Sequence, residues 1–293
     1  RACWVASYGR CLRKSEVLVL GKTIFQLINF VVVSCFAVGC HSRERNQNMD
    51  SENKQFVLKV DNELVISMPL NKMFLDPDVR KLAQYAGEGN LTKLDELVKQ
   101  GVNVNSSGNQ GATPLFWALR NENFSGFKRL LELGADPNIV FADSSIMHWA
   151  ARHKDIRFLQ LALKFKGNPD LYAGNPKKTP IFNTISVEGG DNLPALELLL
   201  KSGADINAPT GSEKIFGISM GGVTPVLAAA DIIRFDIVYS LLEAGADYAV
   251  VDDTKRNLVS RIKSVQHRLQ EGSKQEIFLK KVVNWLNDKG VEV

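Results

Sequence analysis

Beyond Cys40 this chain of 293 residues contains no cysteine; all four, Cys3, Cys11, Cys35 and Cys40, fall within its first 40 positions. That absence removes disulfides and Cys-ligated zinc from everything that follows, and a body without thiols tolerates an oxidising compartment. Histidine is scarce as well: His41, His148, His153 and His267 are the four present. His148 and His153 are five residues apart, whereas a shared metal-binding face on a helix needs a spacing of three or four. No G-x-S-x-G, H-E-x-x-H or phosphate-binding loop occurs, so the usual nucleophile, metalloprotease and nucleotide signatures are missing. "EGGDN", Glu188–Asn192, is glycine-rich but fills a turn between two helices with no strand before it. The adjacent carboxylates Asp252 and Asp253 in "VVDDTKR" read as a solvated hairpin. The expectation is a chain that is not an enzyme and holds no cofactor and no metal.

An excess of charge of one sign is also lacking once the charge is located. The net +4 is confined to the first 40 residues, which carry five basic side chains and one acidic; the remainder balances 31 basic against 31 acidic. Nothing in that balance favours nucleic acid or an anionic membrane. A long apolar run is absent too. "IFQLINFVVVSCFAV", Ile24–Val38, falls short of the roughly 20 apolar residues that span a bilayer. Arg13, Lys14 and Lys22 precede it, and Gly39 and Cys40 end it. A basic region, a short apolar core and small residues at the end form a secretory signal pattern. The ending resembles a bacterial lipobox, which implies cleavage before Cys40 and lipidation of that cysteine. Residues 1–39 are thus expected to be a signal peptide, with a non-methionine start near Val17 or Val19 making the first residues spurious. An uncleaved membrane anchor, or a start at Met49 giving a cytosolic protein, are the other readings. "HSRERNQNMDSENKQ" after Cys40 is a polar tether, making 40–55 the anchored linker. His41 stands where an aspartate would signal inner-membrane retention. The resemblance therefore implies outer-membrane attachment facing the periplasm.

What the chain does have is repetition. "LVKQGVNVN", "LLELGADPN", "LLLKSGADIN" and "LLEAGADYA" place Gly101, Gly134, Gly203 and Gly245 in one phrase, with Gly167 and Gly290 in degenerate copies. A second phrase, "GATPLFWAL", returns in phase as "SSIMHWAA", "KKTPIFNTI" and "GGVTPVLAAA". Thr113, Thr179 and Thr224 can cap a helix, and the proline after each suits its first turn. The Leu-Leu pairs lie on the buried side of a second helix, which a left-handed glycine stops. These two phrases resemble the ankyrin repeat over residues 77–293, an all-α repeat solenoid with β-hairpin loops and about six repeats including caps. Each unit has too little core to stand alone, so stacking must bury its surface. In the third unit Ser145-Ile146 replaces Thr-Pro, and irregularity is expected there. Alternation in "QFVLKVDNELVISMPL" predicts a small N-terminal β-hairpin, Phe56–Leu70, making 56–76 a cap on the array.

The ankyrin resemblance implies binding on a concave face built from hairpin tips and the ends of first helices. On this sequence the tips are Asn109, Gln110, Phe141, Ala142 and Lys177. The helix ends are Arg120, Asn121, Arg152, His153, Ser186, Val187, Asp231 and Ile232. His148 takes the histidine position of the T-P-L-H phrase and is expected to serve loop hydrogen bonds. The hairpin "APTGSEKIFGISMGGV" is longer than its counterparts and carries Ile215, Phe216, Ile218 and Met220. Burying one such side chain contributes roughly 1.5–3 kcal/mol. The four therefore either meet a partner or fold back over the next repeat. Exported, lipid-anchored and built of ankyrin repeats, the chain is similar to the immunity lipoproteins paired with type VI secretion phospholipase effectors. That resemblance implies a protein partner, a secreted lipase toxin, held in a heterodimer. A periplasmic scaffold for another envelope protein and a secreted effector acting on host proteins are its rivals.

Overall fold

The structure is a computed structural model, and the residues it describes are 65–185, 192–215 and 218–293. Cys40, the tether and residues 56–64 of the anticipated hairpin lie outside them, as do Ser186, Val187 and Phe216. Where the described chain begins, the strand expectation does not hold. Residues 65–67 form a turn, and Leu70–Met73 is a single helical turn entered from Pro69 at φ −70°. Met73 and Phe74 are drawn wholly into the core, and Val65 and Met68 are buried beside them. Burial of these four outweighs the alternating pattern.

Six units of paired helical segments follow. They are Pro77–Glu88 with Leu91–Lys99, Pro114–Arg120 with Phe124–Glu132, and Ile146–Arg152 with Arg157–Lys164. Next come the 3-10 segment Pro180–Thr184 with Leu193–Lys201, then Pro225–Asp231 with Phe235–Glu243, and last Leu258–Val265 with Lys274–Asp288. First segments stack on first segments, and second segments pack along the other side. One apolar core runs through the stack, from Leu82 and Phe116 through Ile146, Ile181 and Val226 to Val282 and Leu286. This is an all-α repeat solenoid. No helix among the described residues is long and apolar enough to cross a membrane.

The layers approach closely because small residues permit it. A Cβ on Gly126 would sit 1.9 Å from the Ala86 carbonyl oxygen, so the second helix of repeat 2 lies against the first helix of repeat 1. The turns after the second helices are tied together by a ladder of side chains. Asn105 donates to the Gly134 carbonyl and accepts from Asp136 N–H; Asn138 does the same with Lys166 and Asn168. Asp170 accepts from Asp205 N–H, and Asn207 from Asp247 N–H.

Three local expectations are corrected. In repeat 3 the left-handed residue is Lys166 at φ +65°, one position before Gly167. Gly167 is needed for room instead: a Cβ there would stand 2.3 Å from Met147 Sδ. Thr113 Oγ accepts from Phe116 N–H as anticipated, but Thr179 and Thr224 make no side-chain cap. At Thr179 the backbone carbonyl takes the Phe182 N–H as the segment tightens into a 3-10 turn. Asp252, expected to be solvated, is buried with Arg261.

Candidate functional site

Repeats 2, 3 and 5 share one first-segment plan, with three buried residues, a partly buried position and two more buried residues, and repeat 4 follows it except that Phe182 is partly exposed. The partly buried position is filled by Trp117, Trp149, Asn183 and Ala228 in repeats 2 to 5. Three residues after each tryptophan stands an arginine, which a helix brings to the same face. The Arg120 guanidinium lies 4.8 Å from the Trp117 ring centre, and that of Arg152 lies 5.4 Å from Trp149. Two successive repeats thus present a tryptophan roofed by an arginine.

Between these helices lies a groove of about 510 Å³. Phe116, Leu119, Trp149 and Ile66 give it apolar walls, and Arg120, Arg152, His153, Lys154 and Glu122 give it a polar edge. Phe116 packs against Phe141 at 4.7 Å and Trp149 at 5.5 Å between ring centres. Ile66 remains 46% exposed. The Trp149 indole N–H is buried with no acceptor among the described residues. His153 accepts from Asp155 N–H and sets its ring edge-on to Phe158 at 4.8 Å. Its Nε2 is 3.9 Å from Glu122.

Of the anticipated binding residues, the groove gathers Arg120, Arg152 and His153. Arg120 has a second task, donating to the Met68 carbonyl and so holding the N-terminal segment; burial lowers its pKa. Asn109 is exposed but its amide donates to the Lys72 carbonyl, a related clamp. Gln110 is an exposed tip at φ +54° whose carbonyl accepts from Ala142 N–H. Asn121 is exposed and donates to the Trp117 carbonyl. Lys177 is exposed, and its carbonyl accepts from Gly211 N–H.

Three placements are corrected. Phe141 is not a tip residue: at 2% exposure it is core, stacked on Phe116. Asp231 is bound 2.9 Å from Arg261 Nε, and burial raises its carboxyl pKa despite that cation. Ile232 packs against the core. The long hairpin does form, with Glu213–Ile215 paired antiparallel to Ile218–Met220 in the register Glu213↔Met220 and Ile215↔Ile218. Its base is held by its own array, since Ser219 Oγ donates to Asp253 and Asp253 N–H donates to the Gly221 carbonyl. Met220 is half-buried; of Ile215 and Ile218 only the strand backbone is described.

His148 performs the loop role foreseen for it. Its Nδ1 pairs with Ser145 Oγ at 2.7 Å and its Nε2 with the Lys178 carbonyl at 2.9 Å, joining repeat 3 to repeat 4. Among the described residues no group of three or more His, Cys, Asp or Glu side chains converges as a metal site would. Sequence reasoning missed Phe116, Leu119, Trp149, Ile66, Glu122 and Lys154. The signal available was tryptophan at the variable position of two consecutive phrases.

A family model described as an ankyrin repeat matches residues 110–139, the segment that carries Trp117 and Arg120. The chain is similar to the putative palmitoyltransferase ZDHHC13 of Danio rerio, 25% identical over 206 residues, 67% of this chain and 30% of that protein. It is also similar to the transient receptor potential channel pyrexia of Drosophila melanogaster, 35% identical over 107 residues, 36% of this chain and 11% of that protein. The chain spans under a third of the length of either relative. It thus contains an ankyrin repeat, a scaffold for protein–protein interaction.

Proposed function

We propose that this ankyrin array is a non-catalytic binding protein, anchored by lipid at Cys40 to the outer membrane and facing the periplasm. There it neutralises a type VI secretion phospholipase effector by direct binding. Protein binding rests on the groove lined by Trp149, Arg120 and Arg152, beside the stacked Trp117–Arg120 pair of the preceding repeat. The apolar centre and polar edge of that face follow the usual anatomy of a protein interface. Address and partner rest on the sequence: the ordered leader, the small residue before Cys40 and the polar tether ahead of an ankyrin array.

The test is protection. Cells directing a type VI secretion phospholipase effector to their periplasm should survive when the full chain is co-expressed, and the two purified proteins should form a heterodimer. Labelling with a fatty-acid analogue should mark the parent and spare Cys40→Ser. Survival without any complex, or equal label on both forms, would overturn the inhibitory and the anchored reading respectively.

A further inference from the structure

We propose that the groove between the first helices of repeats 2 and 3 receives an acidic segment of the protein partner, bearing at least one large apolar side chain. This deepens the binding reading and rests on it. The lining decides the chemistry. Phe116, Leu119, Trp149 and Ile66 form a concave apolar surface, and its volume of about 510 Å³ suits a bulky side chain with adjoining backbone. The edge carries the cations Arg120, Arg152 and Lys154 against the single carboxylate of Glu122. Arg152 and Lys154 are both exposed and have no carboxylate partner among the described residues.

Arg152, stacked on Trp149, is held in place by the ring face while its planar donors face the groove edge; Arg120 spends one donor on the Met68 carbonyl and keeps its charge beside the groove. A guanidinium fork matches a carboxylate, which can accept two parallel hydrogen bonds. The Arg152 fork therefore offers carboxylate recognition, with the Lys154 and Arg120 charges on the same edge. Asn183 and Ala228 take the tryptophan's place in repeats 4 and 5, and Asp231 follows Ala228 where an arginine would stand. The cationic aromatic surface is thus local to repeats 2 and 3. A flat anionic membrane would meet the cations but leave the concave apolar floor unfilled. An extended acidic peptide with a Phe or Leu side chain satisfies both.

The probes are fluorescein-labelled peptides alternating Glu with Leu around a central Phe, and a matched peptide with Gln for every Glu. Anisotropy against the full chain should show the acidic peptide binding at least about tenfold tighter than the Gln form. Its affinity should fall as salt rises from about 50 to 500 mM, where screening shortens. Arg152→Glu with Lys154→Glu should reduce acidic-peptide binding at least about tenfold, with the melting temperature kept because both side chains are exposed. As a second reporter, a Trp149→Phe protein should retain its fold and weaken both peptides. Equal binding of the two peptides, indifference to charge reversal, or binding only to phosphatidylglycerol vesicles would each overturn the proposal. If the effector bound the reversed protein as tightly as the parent, this groove would be excluded while the inhibitory reading stood. That reading fails only if the parent binds no effector.

Discussion

Replacing Arg261 with methionine should be among the most damaging single changes in the array. Arg261 is 1% exposed and donates to Asp231 at 2.9 Å, to Asp252 at 2.6 Å and to the Arg256 carbonyl at 2.9 Å. Methionine replaces the volume but not the charge, so two carboxylates are left without their shared cation. Removing one member of such a buried group costs about 3–5 kcal/mol. The pH dependence fixes the mechanism. Burial pushes the Asp231 carboxyl above its ordinary range, and Arg261 only partly offsets it, so ionising Asp231 already costs stability as pH rises through its folded pKa. Burial also raises Asp252, but the Thr254 hydroxyl, Arg256 N–H and Arg261 outweigh it and leave its pKa lowered. Asp252 therefore supports folding above its unfolded pKa, and that support fades as pH falls through the folded one. Without Arg261 both groups shift upward and both favour the protonated form. The variant's deficit should then be largest near pH 7 and shrink as pH falls toward about 4. Urea unfolding followed by Trp285 fluorescence reads the C-terminal repeat, since that ring packs on Tyr248 at 5.6 Å. Adding Asp231→Asn should recover part of the loss. A deficit under about 1 kcal/mol at pH 7, or one that grows in acid, would refute the reasoning.

Other changes test other parts of the stack. Gly167→Ala should lose about 1–3 kcal/mol through overpacking, because its Cβ would meet Met147 Sδ and the Ala162 carbonyl; Lys166→Gly, relieving a left-handed lysine, should gain up to about 1 kcal/mol, both read by thermal melting. Asn138→Ala removes two bonds between repeats 3 and 2 and should cost about 1 kcal/mol in denaturant titration. Burial lowers the His148 pKa, with the Lys178 carbonyl opposing, so the stability it carries is complete above its unfolded pKa of 6.5 and is lost as pH falls through the folded value. His148→Leu should flatten that acid limb and cost about 1 kcal/mol at pH 7.5.

The array was legible because two phrases recur in phase and each residue in them has one physical task. Gly101, Gly134, Gly203 and Gly245 all adopt positive φ, and the Thr113 cap forms as its position suggests. The misreadings arise where tertiary contacts override local chemistry. Lys166 displaced Gly167 from the left-handed position because the space beside Met147, not the turn, requires glycine. Phe141 and Asp231 look like surface residues by register, yet one fills the gap beside Phe116 and the other is claimed by Arg261, thirty residues on. No local pattern announces a cation buried from another repeat. Of the hairpin expected over Phe56–Leu70, the described part, from Val65 on, is not strand, and Arg120 and Asn109 hold the segment by donating to the Met68 and Lys72 carbonyls.

The Trp-Arg surface is instructive because the repeat does not require tryptophan at this position. At the equivalent position the array accepts asparagine at 183 and alanine at 228, and Ile181, Thr184, Leu227 and Ala229 around them remain buried. Within one chain, then, the same scaffold position is filled by three kinds of side chain of very different size: tryptophan twice, asparagine and alanine. Both indoles pack locally, Trp117 beside Phe74 and Gly87 and Trp149 on Phe116, yet repeats 4 and 5 close their cores with no indole at that position. Tryptophan and arginine are also the side chains that most often carry binding energy when a partner covers them. Their coincidence at Trp117, Arg120, Trp149 and Arg152, beside a concavity edged by Arg152 and Lys154, is the ground on which an acidic partner segment is proposed.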